Sequence, residues 1–151
     1  MQYFEGEYDN NKVSICKIFT SLNYSIVPIE HIEIYCANND MTVFDLVSQY
    51  DSYSYHMMNI VDYLVGNTDR HWGNWGFLVD NSNNKIAKLF PLMDFNKAFN
   101  SYDTLDGVKC QTTPKTMSQL EAAVEAVKAV GLNQIHEVKK EWFGSEEQYN
   151  M

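Results

Sequence analysis

The sequence predicts an α+β fold that is mostly α-helical and carries one embedded β-hairpin. Apolar residues recur at helical spacing in residues 40–66 and again in 118–142. Two strand-like runs, 75–80 and 85–95, are joined by the turn-forming sequence NSNN. With 151 residues, of which 45% are hydrophobic and 21% are charged, the chain is long enough for a single domain with its own core.

The first 38 residues are predicted to contain strands. Residues 12–20 and 24–36 are rich in β-branched and aromatic side chains, and SLN lies between them. Pro28 argues against one continuous central strand, because proline has no amide hydrogen to donate to a strand ladder. The segment IEHIEIYC at the end of this region is compatible with a strand or with a short helix.

Two helical segments are predicted next. Asp40 is a candidate N-cap for residues 41–50, which carry an apolar stripe, and Asp51 repeats the capping signal. Gly66 and Asn67 are expected to end the second segment, since both residues tolerate a left-handed backbone. This second helix is expected to be the most buried element, through an apolar face made of Tyr53, Met57, Ile60, Val61 and Leu64.

The C-terminal part is predicted to add the hairpin and two further helices. Pro91 is expected to end the pairing of the hairpin strands. Ser118, with Glu121 three residues later, forms a capping-box pattern that opens a helix, and Gly131 closes it. The first of these helices is expected to bury Leu120, Val124 and Val127, and the last helix to bury Ile135, Val138 and Trp142.

Composition excludes several classes of function. Eleven basic and twenty acidic residues give a formal charge of −9 without any basic stripe, so a nucleic-acid partner is not expected. No apolar run approaches the roughly 18 residues of a membrane span, and no secretion signal is visible, so we expect no membrane partner and a cytoplasmic location. The three cysteines are widely spaced, which predicts free and mostly buried thiols.

The polar run GNTDRHWGNWGF at residues 66–77 is the candidate for chemistry. Asn74 follows Asp69 by five positions (74 − 69 = 5), and Asp94 follows Asn74 by twenty (94 − 74 = 20). Because a hairpin returns the chain to its start, Asp94 is expected to approach Asn74. Oxygen ligands of this kind suit Mg²⁺ or Mn²⁺ bridging to a phosphate. The alternatives are a loop that hydrogen-bonds its own backbone and an aspartate that braces a turn.

The order of these parts matches protein-kinase-type phosphoryl transfer. There, a loop aspartate receives the proton of the substrate hydroxyl, an asparagine five residues later binds one metal, and the aspartate of Asp-Phe-Gly binds metal against the nucleotide phosphates. In this sequence Asp94 and Phe95 are followed by Asn96 instead of glycine. That departure keeps the metal ligand and puts a flipping loop of the kinase type in doubt.

VGNTDRHWGNWGFLVD, followed by PLMDFNKAF, resembles the HipA-like kinase family, and phosphatidylinositol kinases carry a similar Asp-Arg-His loop. The resemblance implies a protein-kinase-like large lobe over 39–151, with a small-lobe strand and hinge in 1–38. It implies Asp69 as the catalytic aspartate, Asn74 and Asp94 as the metal ligands of an ATP site, and ATP with Mg²⁺ (or Mn²⁺) as cofactors.

Two neighbours of Asp69 also match the pattern of that family. Arg70 and His71 have no role that the sequence assigns. His71 is expected to be a buried histidine that donates a structural hydrogen bond.

Other parts of a complete kinase are missing from the sequence. Gly6 is the only glycine before Gly66, so there is no glycine-rich phosphate loop. Lys17 lies only 52 residues before Asp69 (69 − 17 = 52), which is too close for the lysine that holds nucleotide phosphates.

We therefore expect the C-terminal lobe of a serine/threonine kinase that is incomplete on its own. Its expected partner is a protein substrate or a missing N-terminal lobe, and an antitoxin-like regulator is a further candidate. Two alternatives stay open, a degenerate kinase-fold binding module and a lobe of a lipid or small-molecule kinase.

Overall fold

A computed structural model describes residues 3–99, 108–132, 139–142 and 146 of the chain. Within these ranges, the strands and α-helices are, in order, β1 (Tyr3–Tyr8), β2 (Asn11–Cys16), β3 (Tyr24–Pro28), α1 (Glu33–Asn38), α2 (Val43–Leu64), β4 (Gly76–Asp80), β5 (Lys85–Leu89) and α3 (Gln119–Val130). Short 3₁₀ turns cover Ile29–His31 and Lys140–Trp142. The predicted α+β class is confirmed.

The chain divides into two compact units. The first unit comprises Met1–Asp51 and Trp72–Asp94, and the second comprises Ser52–His71 and Phe95–Met151. The first unit contains residues from both sides of the position between 38 and 39 where the sequence predicts a lobe boundary. That predicted boundary stays a prediction.

The predicted hairpin is confirmed and forms part of the sheet of the first unit. β4 and β5 pair antiparallel, and β3 pairs antiparallel with the other edge of β4, which gives the order β3-β4-β5. The turn between β4 and β5 closes because the Asp80 carboxylate accepts hydrogen bonds from the backbone and hydroxyl of Ser82 at 2.8 and 2.7 Å. Phe77, at the centre of the sheet, is fully buried.

The N-terminal strands form a second, separate sheet as far as the described residues go. β1 and β2 pair antiparallel across a two-residue turn, in which Asp9 and Asn10 have positive φ values of 51° and 59°. β3 ends at Pro28, as predicted, and IEHIEIYC then forms the 3₁₀ turn and α1. The helical alternative for that segment is therefore the correct one.

The start of α2 differs from the prediction. Thr42 caps this helix instead of Asp40, because its Oγ1 accepts from the amide of Asp45 at 3.1 Å while its own amide donates to the Asp45 carboxylate at 2.8 Å. Asp40 lies outside the helix with a φ of 52°. The predicted break at Asp51 is present as a kink, with non-helical angles of −160° and 59° at that residue.

The predicted apolar face of the second part of α2 is partly wrong. Ile60 is buried as expected, but Leu64 is 62% exposed and Tyr53 is also exposed. The buried residues of this part of α2 are Tyr55, Met58, Asn59, Ile60 and Asp62. Among them, the polar side chains of Asn59 and Asp62 bind other segments of the second unit. A count of apolar residues cannot find such a face, because part of what it buries is polar.

The ends of α2 and α3 follow the sequence signals. After α2, Gly66 has a φ of 64°, and the amide of Asn67 donates to the carbonyl of Asp62 at 2.8 Å. Ser118 and Glu121 form the predicted capping box, and Gly131 closes α3 with a φ of 75°. However, α3 buries Gln119, Ala122, Ala123 and Ala126, and Val124 is exposed.

The remaining predictions concern the last helix, the thiols and the membrane. Ile135 and Val138 lie outside the described residues, whereas the backbone of Trp142 belongs to a 3₁₀ turn. All three cysteines are free, and Cys36 and Cys110 are buried, as predicted. No described helix combines the length and apolar character needed to cross a membrane.

Candidate functional site

The residues predicted to form the site are divided between the two units. Asp69 belongs to the second unit together with its neighbours Arg70 and His71. Asn74 and Asp94 belong to the first unit, in which Asp94 is the last residue. Each of these residues has its own local environment within its unit.

The loop that carries Asp69 is fixed at its start by Asn67. The side-chain amide of Asn67 donates to Asp62 Oδ1 at 2.9 Å, and its carbonyl accepts from the side-chain amide of Gln119 at 2.7 Å. Asn67 is completely buried, whereas Asp69 is half-buried. These bonds connect the loop to α2 and α3, so Asp69 extends from a rigid support.

Arg70 provides the second anchor of this loop. Its Nε and Nη2 atoms donate to Oδ2 and Oδ1 of Asp62, both at 2.9 Å, in a bidentate ion pair. The guanidinium carbon lies 4.9 Å from the centre of the Phe95 ring. Arg70 is only 2% exposed. Arg70 therefore holds the loop inside the second unit, a role that the sequence analysis did not assign.

His71 is exposed, so the prediction that it is buried is wrong. Its neighbour Arg70 occupies the buried position at this point of the loop. The amide of His71 donates to the carbonyl of Asp69 at 3.0 Å, which makes the loop turn tightly after Asp69.

The polar face of α2 extends from Asp62 towards the start of the helix, through Asn59 and Tyr55. Asn59 Oδ1 accepts a hydrogen bond from the hydroxyl of Thr112, and the hydroxyl of Tyr55 donates to the Thr112 carbonyl at 3.0 Å. Burial raises the pKa of Tyr55 to about 12. The cavity along this face measures about 10 Å³, which is too small for a substrate. This face is therefore a structural support and not a binding site.

Asn74 is held in the first unit by the backbone on both sides of it. The amide of Glu30 donates to the carbonyl of Trp72 at 3.3 Å, and that of Ile29 donates to the carbonyl of Trp75 at 3.0 Å. Asn74 and its neighbour Trp75 are both buried. An amide oxygen on such a fixed backbone is a suitable ligand for a hard cation.

Asp94 has an unusual backbone conformation at the end of the first unit. Its φ is 57°, in the left-handed region that non-glycine residues seldom adopt, although aspartate is among the more tolerant types. The residue is exposed, so its carboxylate is accessible. Residues in such conformations are enriched at functional sites. The role of Asp94 as a metal ligand stays a prediction.

The donor set agrees chemically with the predicted metal. Asp69, Asn74 and Asp94 offer carboxylate and amide oxygens, which are the ligands that Mg²⁺ and Mn²⁺ prefer. No group of three or more His, Cys, Asp or Glu side chains able to hold a metal occurs among the described residues. The predicted set has only two carboxylates, and their convergence stays a prediction.

Asp62 is the site-supporting residue that sequence reasoning missed. It precedes Arg70 by eight positions (70 − 62 = 8) and lies on a different element. The available signal was the helical spacing of Tyr55, Asn59 and Asp62, which places three polar groups on one helix face. A polar face on a helix expected to be buried indicates partners in other segments.

Known proteins provide independent evidence on family and fold. A family model described as phosphatidylinositol 3- and 4-kinase matches residues 7–130, a range that includes Asp69, Asn74 and Asp94. Over 134 residues, the sequence is 31% identical to that of the serine/threonine-protein kinase CtkA of Helicobacter pylori strain J99. The matched region covers 79% of this chain and 40% of that protein. This chain thus spans less than half of that relative.

The fold has a similar counterpart among solved structures. The crystal structure of a Helicobacter pylori proinflammatory kinase CtkA matches with a TM-score of 0.60 at 19% identity, over 99% of this chain and 68% of that one. The two chains share a kinase-like fold. The general prediction of a kinase-like family is confirmed, whereas the HipA-like assignment and the large-lobe assignment stay predictions.

Proposed function

Because the chain belongs to the phosphatidylinositol 3- and 4-kinase family, we propose that it is the C-terminal lobe of a kinase that transfers the γ-phosphoryl group of ATP to a hydroxyl group. One observation carries this proposal. Asp69 and Asn74 have the kinase spacing, and the β4–β5 hairpin and then Asp94 with Phe95 follow them in the kinase order. The whole arrangement lies within the residues that the family model matches.

Each residue has a defined part in the proposed transfer. The acceptor hydroxyl oxygen forms a bond to the γ-phosphorus, the bond between that phosphorus and the β–γ bridging oxygen breaks, and ADP leaves. Asp69 accepts the proton of the hydroxyl. Asn74 and Asp94 hold Mg²⁺, or Mn²⁺, which neutralises the phosphate charge when it is bound.

We propose a protein serine or threonine as the acceptor. The relative at 31% identity is named a serine/threonine-protein kinase, and the HipA-like resemblance agrees with such an acceptor. The name of the family favours a lipid acceptor as the second candidate. A formal charge of −9 disfavours an anionic membrane surface and instead suits a substrate segment rich in lysine or arginine.

The nucleotide site is proposed to require a further lobe. Gly6, the only glycine before Gly66, lies within β1 and pairs with Val13 of β2, so it belongs to a strand and not to a phosphate-binding loop. Phe4 and Ile15 pair across this hairpin and are both exposed. Isolated two-stranded hairpins are marginally stable in water, so we propose that additional strands of an N-terminal lobe bind here.

The alternative to catalysis is a binding module. In that case the kinase fold would be retained only to hold a regulator of the antitoxin type. A cytoplasmic location is part of either proposal, and the three free cysteines agree with a reducing compartment.

A transfer assay tests the proposed function. The purified chain is incubated with labelled ATP and Mg²⁺, with either a basic serine/threonine peptide or phosphatidylinositol vesicles as acceptor. The assay is repeated after fusion to the N-terminal lobe of a related kinase. Asp69→Ala is the inactive variant, and Glu125→Gln, an exposed change on α3, is the matched control.

We expect negligible transfer by the chain alone and peptide phosphorylation by the fusion, abolished by Asp69→Ala and retained in Glu125→Gln. Robust transfer by the chain alone would show that it needs no second lobe. Transfer only to vesicles would establish the lipid acceptor. If no arm of the assay shows transfer and the protein binds no nucleotide, the result would support the binding module.

A further inference from the structure

Within the second unit, the guanidinium group of Arg70 contacts Asp62 and Phe95. The Asp62 carboxylate binds its edge through two hydrogen bonds of 2.9 Å, and the ring of Phe95 lies against it at 4.9 Å. The side chains of the ion pair are only 2% and 5% exposed. This is a fully desolvated charge pair with a fixed geometry.

Such a pair specifies a conformation more than it adds net stability. Removing two charges from water costs about as much as their attraction returns, so a buried pair is weak evidence for stability. The geometry here is restrictive, because a planar guanidinium fork fits a carboxylate in one plane. Asn67 completes it with a third hydrogen bond to Asp62, at 2.9 Å.

Arg70 and Asn67, which both bind Asp62, lie on either side of Asp69 in the sequence, and Phe95 lies next to Asp94. Arg70 directly follows Asp69, the proposed proton acceptor, and Asn67 precedes it by two residues (69 − 67 = 2). Both flanks of Asp69 are therefore bound to one carboxylate on α2. Phe95 directly follows Asp94, whose φ of 57° requires support from its surroundings.

We propose that Asp62 and Arg70 are positioning residues: Asp62 fixes Arg70 and Asn67 and thereby orients the carboxylate of Asp69 for proton transfer. This inference rests on the proposed function. Both side chains are buried, so the proposed effect operates through the loop. A displacement of about 1 Å in a reacting group can cost roughly a hundredfold in rate, so the rigidity of the loop determines the turnover number.

The test compares four variants of the ion pair with a control of similar burial. Asp62→Asn and Arg70→Gln each remove one charge, their combination removes both, and Arg70→Lys keeps the charge but loses the bidentate fork. Met58→Ala is the control, because Met58 is fully buried on α2 and its apolar side chain cannot join the hydrogen bonds of Asp62 with Asn67 and Arg70. The measurements are hydrogen exchange of the loop amides, thermal stability, and kcat and KM of the fused kinase.

We expect the amides of residues 67–71 to exchange at least about tenfold faster in Asp62→Asn and Arg70→Gln, while those of α3 change less. In the fused kinase, kcat is expected to fall by about tenfold to a hundredfold with the KM for ATP within about twofold, since the loss concerns orientation and not binding. Arg70→Lys should retain an intermediate kcat. The double variant should fold better than either single variant and still have a low kcat, because no buried charge is left unpaired.

Met58→Ala is expected to lower the thermal stability without a selective change in the loop or in kcat. If it reproduces the loop exchange and the fall in kcat at an equal loss of stability, the ion pair is merely structural and the proposal is wrong. The exchange measurement needs no activity. If the wild-type fusion transfers no phosphate, the proposed function fails. Separately, if Asp62→Asn speeds hydrogen exchange in α3 as much as in residues 67–71, the anchoring of the loop by Asp62 is contradicted.

Discussion

Gly76 lies against the backbone of Val27: a Cβ atom placed on Gly76 would be 2.3 Å from the Val27 carbonyl oxygen. Strands β3 and β4 pair antiparallel, and Gly76 lies opposite Pro28. Backbone atoms cannot move aside as the end of a side chain can. The last glycine of the polar run GNTDRHWGNWGF is therefore required by packing within the sheet.

Gly76→Ala is expected to destabilise the protein by about 1–3 kcal/mol, because it overpacks a backbone contact. Gly6→Ala is the control, since there the added Cβ meets only the flexible end of Ile15, at 2.2 Å. Urea unfolding of the two variants measures the difference. Equal losses in both variants would mean that the contact between β3 and β4 is not rigid.

Ser118→Ala is expected to cost about 1 kcal/mol, because Ser118 is the N-cap of α3. Its Oγ accepts from the amide of Glu121 at 3.2 Å, and its amide donates to the Glu121 carboxylate at 2.8 Å. Thermal unfolding, with Glu125→Gln as a control on the same helix, measures this loss. An equal shift in the control would show that the capping box contributes nothing.

Tyr55 predicts a stability change at alkaline pH. Burial raises its pKa from the ordinary value of 10.0 to about 12, so the folded protein keeps this proton after the unfolded chain has lost it. The resulting stabilisation is complete below about pH 10 and disappears as the pH rises towards 12, for a total of about 2–3 kcal/mol.

Tyr55→Phe should show a weaker dependence of unfolding free energy on pH in that window. The variant also loses the hydrogen bond to the Thr112 carbonyl, which lowers its stability by about 1 kcal/mol at every pH. The quantity to compare is therefore the slope against pH and not the absolute stability. Parallel curves for the two proteins between pH 10 and 12 would contradict the prediction.

Asp94→Gly is expected to keep or slightly raise the stability, by up to about 1 kcal/mol, since glycine adopts a positive φ without steric cost. The same change removes the proposed metal ligand, so Mn²⁺-dependent nucleotide binding by the fusion should be lost. Asp94→Asn, which tolerates this backbone and lacks the charge, separates the two effects. A large loss of stability in Asp94→Gly would instead identify Asp94 as a residue that braces the turn.

The sequence predicts well those features that depend on neighbouring residues. The β4–β5 hairpin, the stop at Gly66 and the capping box of Ser118 each arise from a few adjacent side chains acting on local backbone. The family resemblance depends on the same kind of information, because the spacing of Asp69 and Asn74 is local. The cap of α2 was missed by two residues, since Thr42 can exchange hydrogen bonds with Asp45 whereas Asp40 lies outside the helix.

Features that depend on distant partners could not be predicted. The face that α2 buries was misassigned because Asn59 binds Thr112, far along the chain, and Asp62 binds Arg70 in the loop after the helix. His71 was expected inside, but Arg70 occupies that position through a partner eight residues earlier. The role of Arg70 follows from a polar interior, and apolar periodicity carries no information about it.

Asn74 and Asp94 are proposed to hold the metal of a kinase site. Crystals of the fused protein, soaked with Mn²⁺ and a non-hydrolysable ATP analogue, would locate the metal by its anomalous scattering. We predict a manganese position bound by oxygens of both residues at about 2.0–2.6 Å, with the γ-phosphate bridged to it and the Asp69 carboxylate facing that phosphate. Manganese bound without either residue, with nucleotide present, would contradict the account.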